Sequence, residues 1–274
     1  MGNKIVEVLS DITESTLQVT SDILVLNLRV VNACIVSNLG EEDKWVLVDT
    51  GLENSADFIV DCAHKKFGEK SKPEAIVLTH GHFDHVGSVK KLSDYWDVPV
   101  YIHKLELPYV TGKKDYPVAD PEVDEGLVAK MSPTFPHTSI DLGDRVKELP
   151  EGGIIPFMPG WRYINTPGHC DGHIALFKED GRVLIAADAF STLKQESLIS
   201  VITQKENISG PPKYLTTNWE LAEESVKKIL ELKPKVAIPG HGKPMEGESL
   251  VKHLEYLVNN FDKIAKPKQG RFVN

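Results

Sequence analysis

The chain has little cysteine. Cys34, Cys62 and Cys170 are the only three in 274 residues. They are odd in number and show no Cys-x-x-Cys spacing, which excludes a disulfide framework and fits a reducing compartment, the cytoplasm by default. Long apolar runs are also missing. The longest, "DILVLNL" and "RVLIAADAF", are too short to span a bilayer, so no membrane partner is expected. The start "MGNKIVEVLSDITEST" lacks a basic segment, an apolar stretch and a small-residue cleavage site, so no signal peptide is expected. Its Met-Gly opening has Val6 where a myristoylation signal needs Ser or Thr. No Lys/Arg block occurs, and the net charge is −9. That argues against nucleic acid and other polyanions and leaves a small molecule as the expected partner. Oligomeric state, a homodimer included, is not set by these features.

What is present is ordinary in bulk: 41% hydrophobic and 26% charged residues. Such a chain can bury a large core, and one domain is expected over residues 1–274. "KIVEVL" and "LQVT" predict short strands, and "DILVLNLRVVNACIVSNLG" predicts one or two more. "KWVLVDTG" predicts a buried strand, then Asn54 to Phe67 a helix with Phe58, Ile59, Cys62, Ala63 and Phe67 at helical spacing. "EAIVLTH" and "VPVYIH" predict strands, with a helix over Val86 to Trp96 between them. Residues 104–150 are rich in Pro, Asp, Gly and Lys. They predict an irregular insertion with one helix, "PEVDEGLVAKM", of the kind that covers a site or faces a substrate. Strands resume at "RYINTPGH", "GHIALFKED" and "GRVLIAADAF", the last two joined by an Asp-Gly hairpin. A helix over Trp219 to Leu232 buries Leu221, Val226, Ile229 and Leu230. "KVAIPGHG" is a strand, and Leu250 to Ile264 a last helix. The second half repeats the grammar of the first, which predicts two similar β-rich halves with helices outside.

The histidines give this frame its chemistry. "AIVLTHGHFDHVGS" holds His80, His82, Asp84 and His85 within six positions. His169 follows a strand in "NTPGHCDGH", Asp188 ends "RVLIAAD", His241 ends "KVAIPGH" and Asp49 ends "WVLVD". Strand ends hold side chains rigidly, as a metal or catalytic site requires. His80 and His82 are two apart, so in an extended segment they project to one side and can grip one cation. Asp84 and His85 follow the turn and suit a second. His80, His82 and His169 then make one open site, and Asp84, His85 and His241 another, with Asp188 between them. Two divalent cations so held, zinc first and Mn or Fe as alternatives, would share an activated water at neutral pH. Asp84 and Asp188 are the candidates for steering its proton. His173, in the same loop as His169, is expected to brace that loop. Cys170, Trp161 and Tyr163 are expected to pack.

"THGHFDHVG" (Thr79 to Gly87), "TPGH" (Thr166 to His169), "AAD" with Asp188, "PGHG" with His241 and "VDTG" (Val48 to Gly51) together resemble the metallo-β-lactamase superfamily of hydrolases. The resemblance runs over roughly residues 20 to 265. It implies an α+β fold, a four-layer αββα sandwich, with a binuclear metal site bound by the residues just grouped. It also implies that Asp49 stands behind the ligands and orients one of them. True β-lactamases of the common zinc class carry Cys where this chain has Asp188. The resemblance therefore implies a lactonase-like or glyoxalase II-like hydrolase of a small ester, lactone or thioester. The alternatives are an iron-dependent persulfide dioxygenase-like enzyme and a phosphodiesterase.

Overall fold

The computed structural model describes residues 14–40, 43–123, 126–193 and 208–273. The strand expected over "KIVEVL" lies outside the described residues. The chain divides into two compact units. One comprises Met1–Asp115 and Thr138–Pro159, the other Tyr116–His137 and Gly160–Asn274.

The first unit holds a seven-stranded sheet in the order β1 to β7. Strands β1 (Ser15–Thr20), β2 (Ile23–Leu28), β3 (Val31–Ser37) and β4 (Trp45–Val48) pair antiparallel. Strands β5 (Ile76–Val77), β6 (Val100–Ile102) and β7 (Val146–Glu148) extend the sheet in parallel. β3 and β4 are buried throughout, as the wholly apolar Trp-Val-Leu-Val of β4 anticipates and the Asn32 and Ser37 of β3 do not. Helix α1 (Ala56–Phe67) turns Ile59, Cys62 and Ala63 into the core. The helix expected over Val86 to Trp96 forms as α3 (Val89–Trp96), and a short helix not expected there, α2 (Phe83–Val86), precedes it. Gly87 keeps helical angles and Ser88, at φ −98° and ψ 1°, leaves them; the chain at Leu52–Glu53 passes so close to Gly87 that a Cβ there would lie 2.4 Å from Glu53 N. Trp45 stacks on Phe67 at 5.1 Å and meets Trp96 edge-on at 5.5 Å, closing the core under both helices.

The insertion is not one irregular excursion. Its first part forms a 3₁₀ turn, Lys104–Glu106, and α4 (Leu107–Val110), and its last part supplies β7, all in the first unit. The middle, Tyr116–His137, belongs to the second unit. Of the helix expected there, Leu127–Met131 forms as α5, and residues 124–125 lie outside the described residues.

The second unit has a five-stranded sheet in the order β12-β11-β10-β9-β8. β8 (Trp161–Asn165), β9 (Ile174–Lys178) and β10 (Val183–Ala187) run antiparallel. β11 (Val236–Pro239) joins β10 in parallel, and β12 (Met245–Glu246) pairs antiparallel with β11. The Asp-Gly hairpin forms as expected, with Gly181 and Arg182 at positive φ of 77° and 53°. α6 (Trp219–Glu231) buries Trp219, Ala222, Ser225, Val226 and Ile229, so Leu221 is not on the inward face. The last helix breaks at Asn260 into α7 (Gly247–Asn259) and α8 (Phe261–Ile264). Among the described residues no helix is long and apolar enough to cross a membrane.

The middle of the insertion is packed. Ala119, Val123, Ala129 and Tyr214 form a small buried cluster, with Phe135 edge-on to Tyr214 at 5.7 Å. Asp120 is 3% exposed and works as a clasp. Its Oδ1 accepts from Glu122 N at 3.0 Å and its Oδ2 from the Arg271 amide, while Arg271 Nη1 donates to Val118 O at 3.0 Å. Asp120→Ala is expected to cost about 1–3 kcal/mol, the penalty for buried donors left unmet. Trypsin should then cut faster at Lys268 and Arg271. A melting curve and a cleavage rate both equal to wild type would refute the clasp.

Candidate functional site

In the first unit the ligand candidates follow β5, His80 and His82 on the loop and Asp84 and His85 in α2. The loop is fixed from below by the chain leaving β4. Asp49 adopts φ 59°, uncommon for a residue with a side chain. Its amide donates to Val77 O at 2.9 Å, and Thr50 donates to His85 O through both N and Oγ1 at 2.8 Å. Gly87 N donates to Gly51 O at 2.9 Å. His80, His82, Asp84 and His85 are thereby buried on a rigid turn, none more than 5% exposed. The His80 ring sits 4.8 Å from that of His82 and 4.2 Å from that of His85.

Hydrogen-bond roles settle two of these tautomers. Asp49 Oδ1 accepts from Thr79 N at 2.8 Å. Its Oδ2 takes the Thr79 hydroxyl and His85 Nδ1, each at 2.8 Å. A carboxylate only accepts, so His85 carries its proton on Nδ1. The Thr79 hydroxyl donates its one proton in the hydrogen bond to Asp49, so at 3.1 Å it must accept from His80 Nδ1. In both rings Nε2 is therefore the lone-pair nitrogen.

In the second unit three strand ends converge. β8 leads into the His169 loop, whose Gly168 has φ +126° and lies against α6. A Cβ there would come within 2.3 Å of Ala222 N. Thr217 N and Asn218 N donate to Gly168 O at 3.1 and 2.9 Å. β10 delivers Asp188 after Ala187, which sits at φ 45°. β11 delivers His241. Asp188 Oδ2 lies 3.3 Å from both His169 Nε2 and His241 Nε2. All three side chains are at most 3% exposed. The His169 tautomer follows by the same logic. The Thr216 hydroxyl donates to Pro212 O at 2.8 Å, so at 3.2 Å it accepts from His169 Nδ1.

His173 has a different task. Its Nε2 accepts from the Asp188 amide at 3.0 Å, and its Nδ1 faces Thr166 Oγ1 at 2.8 Å. It holds the backbone of Asp188, with both ring nitrogens committed. His173→Ala should cost about 1–3 kcal/mol by leaving a buried amide without its acceptor. His173→Gln, whose side-chain oxygen can accept, should lose less. Thermal melts of the two variants check this, and equal melting points for wild type and His173→Ala would refute it.

The remaining candidates are structural. Cys170, Trp161 and Tyr163 are buried, as expected, with Cys170 at 4% exposure. Burial pushes the thiols of Cys34 and Cys62 up from their ordinary range, with Asp49 adding to the effect on Cys34. Neither has the thiolate character of a nucleophile. Thr79 and Thr216 were not singled out by sequence. Thr79 directly precedes His80 and was within reach of inspection, whereas Thr216 stands 47 positions from His169.

The family model described as "Metallo-beta-lactamase superfamily" matches residues 26–241. The chain belongs to the metallo-β-lactamase superfamily. By family it is a metallo-hydrolase. It is 49% identical over 224 residues to "Probable metallo-hydrolase YflN" of Bacillus subtilis strain 168, covering 82% of this chain and 85% of that one. Among solved structures, it resembles TTHA1623 in a di-iron-bound form at 26% identity and a TM-score of 0.55, covering 85% and 94% of the two chains. ST1585 of Sulfolobus tokodaii, an archaeal superfamily protein, matches with 22% identity and a TM-score of 0.58, covering 84% and 80%. The α+β metallo-β-lactamase fold expected from sequence is thus the fold of this superfamily member.

Proposed function

We propose that this superfamily member is a binuclear metal-dependent hydrolase acting on a small ester, lactone or thioester. The observation that carries the proposal is the shared tautomer of His80, His85 and His169. Each has its Nδ1 proton engaged by Asp49, Thr79 or Thr216, which leaves Nε2 to bind a cation. Hydrogen bonds of this kind behind a histidine fix a ligand's orientation and raise its basicity. The donor set fits a metal in another respect. Buried imidazoles and carboxylates in such number are costly unless they coordinate a cation.

His80, His82 and His169 would hold one cation, Asp84, His85 and His241 the other, and Asp188 both. The pair would supply Lewis acidity toward a carbonyl oxygen and a water activated at neutral pH. Asp49, Thr79 and Thr216 keep the imidazoles oriented, and His173 holds the Asp188 backbone. Asp84 and Asp188 would hold the proton as it moves. Nitrogen and oxygen donors suit zinc and also accept Mn or Fe. The net charge of −9 favours a small-molecule substrate over a phosphodiester polymer. Three buried free cysteines accord with a cytoplasmic setting.

The test is a panel of esters, lactones and thioesters, with bis-phosphodiesters alongside, offered to fully metal-loaded protein. Cleavage within the acyl set is expected. No acyl cleavage, or phosphodiester cleavage alone, would overturn the proposal.

A further inference from the structure

Glu106 is fully buried, at 0% exposure. A carboxylate in such a place is costly, and an apolar side chain would serve packing better. Its Oε2 accepts the Gly81 amide proton at 3.1 Å. Gly81 separates His80 from His82 and has no side chain by which the loop could be held. Its amide is a handle on the backbone that sets the spacing of the two imidazoles.

The approach of Glu106 is itself rigid. The 3₁₀ turn Lys104–Glu106 leaves β6 directly, and Glu106 N donates to His103 O at 2.9 Å. His103 Nδ1 accepts from Leu105 N at 3.4 Å and caps the turn. Burial holds the His103 imidazole below its ordinary range, with Lys104 adding to the effect. The neutral ring keeps the lone pair that this cap requires. The loop is thus gripped on two sides, by Asp49 through Thr79 and by Glu106 through Gly81.

We infer that Glu106 is a positioning residue for the His80–His82 pair, setting their spacing through its bond to the Gly81 amide. This rests on the metallo-hydrolase proposal above. Its role is that of an acceptor, so a neutral acceptor of the same reach should replace it.

The full chain is loaded with cobalt(II), and its visible spectrum and its cobalt affinity by chelator competition are measured for wild type, Glu106→Gln and Glu106→Met. Met fills a similar volume without a comparable acceptor. Glu106→Met is expected to lose about 10- to 100-fold in affinity, as for other groups that hold metal ligands, with an altered spectrum. Glu106→Gln should stay within about threefold of wild type with an unchanged spectrum. A Met variant equal to wild type would overturn the inference while leaving the metal site standing. A Gln variant as weak as the Met variant would also overturn it, because charge rather than the bond would then be at work. Wild type that binds no cobalt would remove both proposals together. If circular dichroism shows Glu106→Met unfolded, the Gln variant decides alone: wild-type affinity supports the inference and a tenfold loss overturns it.

Discussion

Asp49→Asn is expected to lower metal affinity by about 10- to 100-fold while leaving the fold in place. The substitution barely changes shape. It changes which atoms can donate. Asp49 receives three donors, Thr79 N, Thr79 Oγ1 and His85 Nδ1, each at 2.8 Å. With the asparagine oxygen kept on Thr79 N, its amide nitrogen faces the other two. His85 must then lose its partner or move its proton to Nε2, the nitrogen proposed to bind a cation. Exchanging aspartate for asparagine behind a histidine strands the ring in the wrong tautomer in the same way in a hydrolytic triad. Thr79 is disturbed as well, and through it His80. Chelator competition on wild type and variant, with circular dichroism as the check on folding, measures the effect. An affinity within about twofold of wild type would show that Asp49 does not set the tautomer.

Asp188→Asn should have the larger effect on turnover, a fall of about a thousandfold, or roughly 4 kcal/mol of barrier. One oxygen of Asp188 lies 3.3 Å from the Nε2 atoms of both His169 and His241. Asparagine removes the charge and puts an amide nitrogen, which is no ligand, at one of the two positions. The backbone bond from Asp188 N to His173 Nε2 is untouched by the change. The variant should therefore melt as a folded protein while binding less metal. A turnover within tenfold of wild type, on any ester, lactone or thioester that wild type cleaves, would contradict a central role for Asp188.

Local features were legible in the sequence, and features made by distant backbone were not. His80, His82, Asp84 and His85 stand out because their pattern is contained in six positions, Asp49, Asp188 and His241 because each ends an apolar run, and His169 because it sits in a Gly-bounded turn after a strand. The strands β2 to β4 and the helices α1 and α6 follow from unbroken or periodic apolar residues. β7 was missed because its three residues are partly or fully exposed and show no alternation. The break at Ser88 was missed because the groups that hold its hydroxyl, Leu52 O and Glu53 O, lie far away in sequence. The insertion read as irregular because its parts pack on different partners, β6 for one and Tyr214 for another. Thr216 and Glu106 carry no motif. They matter through single bonds, to His169 Nδ1 and to Gly81 N, which only the folded chain brings about.

The most direct test of the binuclear proposal is elemental analysis of wild-type protein purified without chelator. About two equivalents of zinc, or of another divalent metal, per chain are expected. A preparation that is fully folded and holds one iron per chain, or no metal at all, would contradict it.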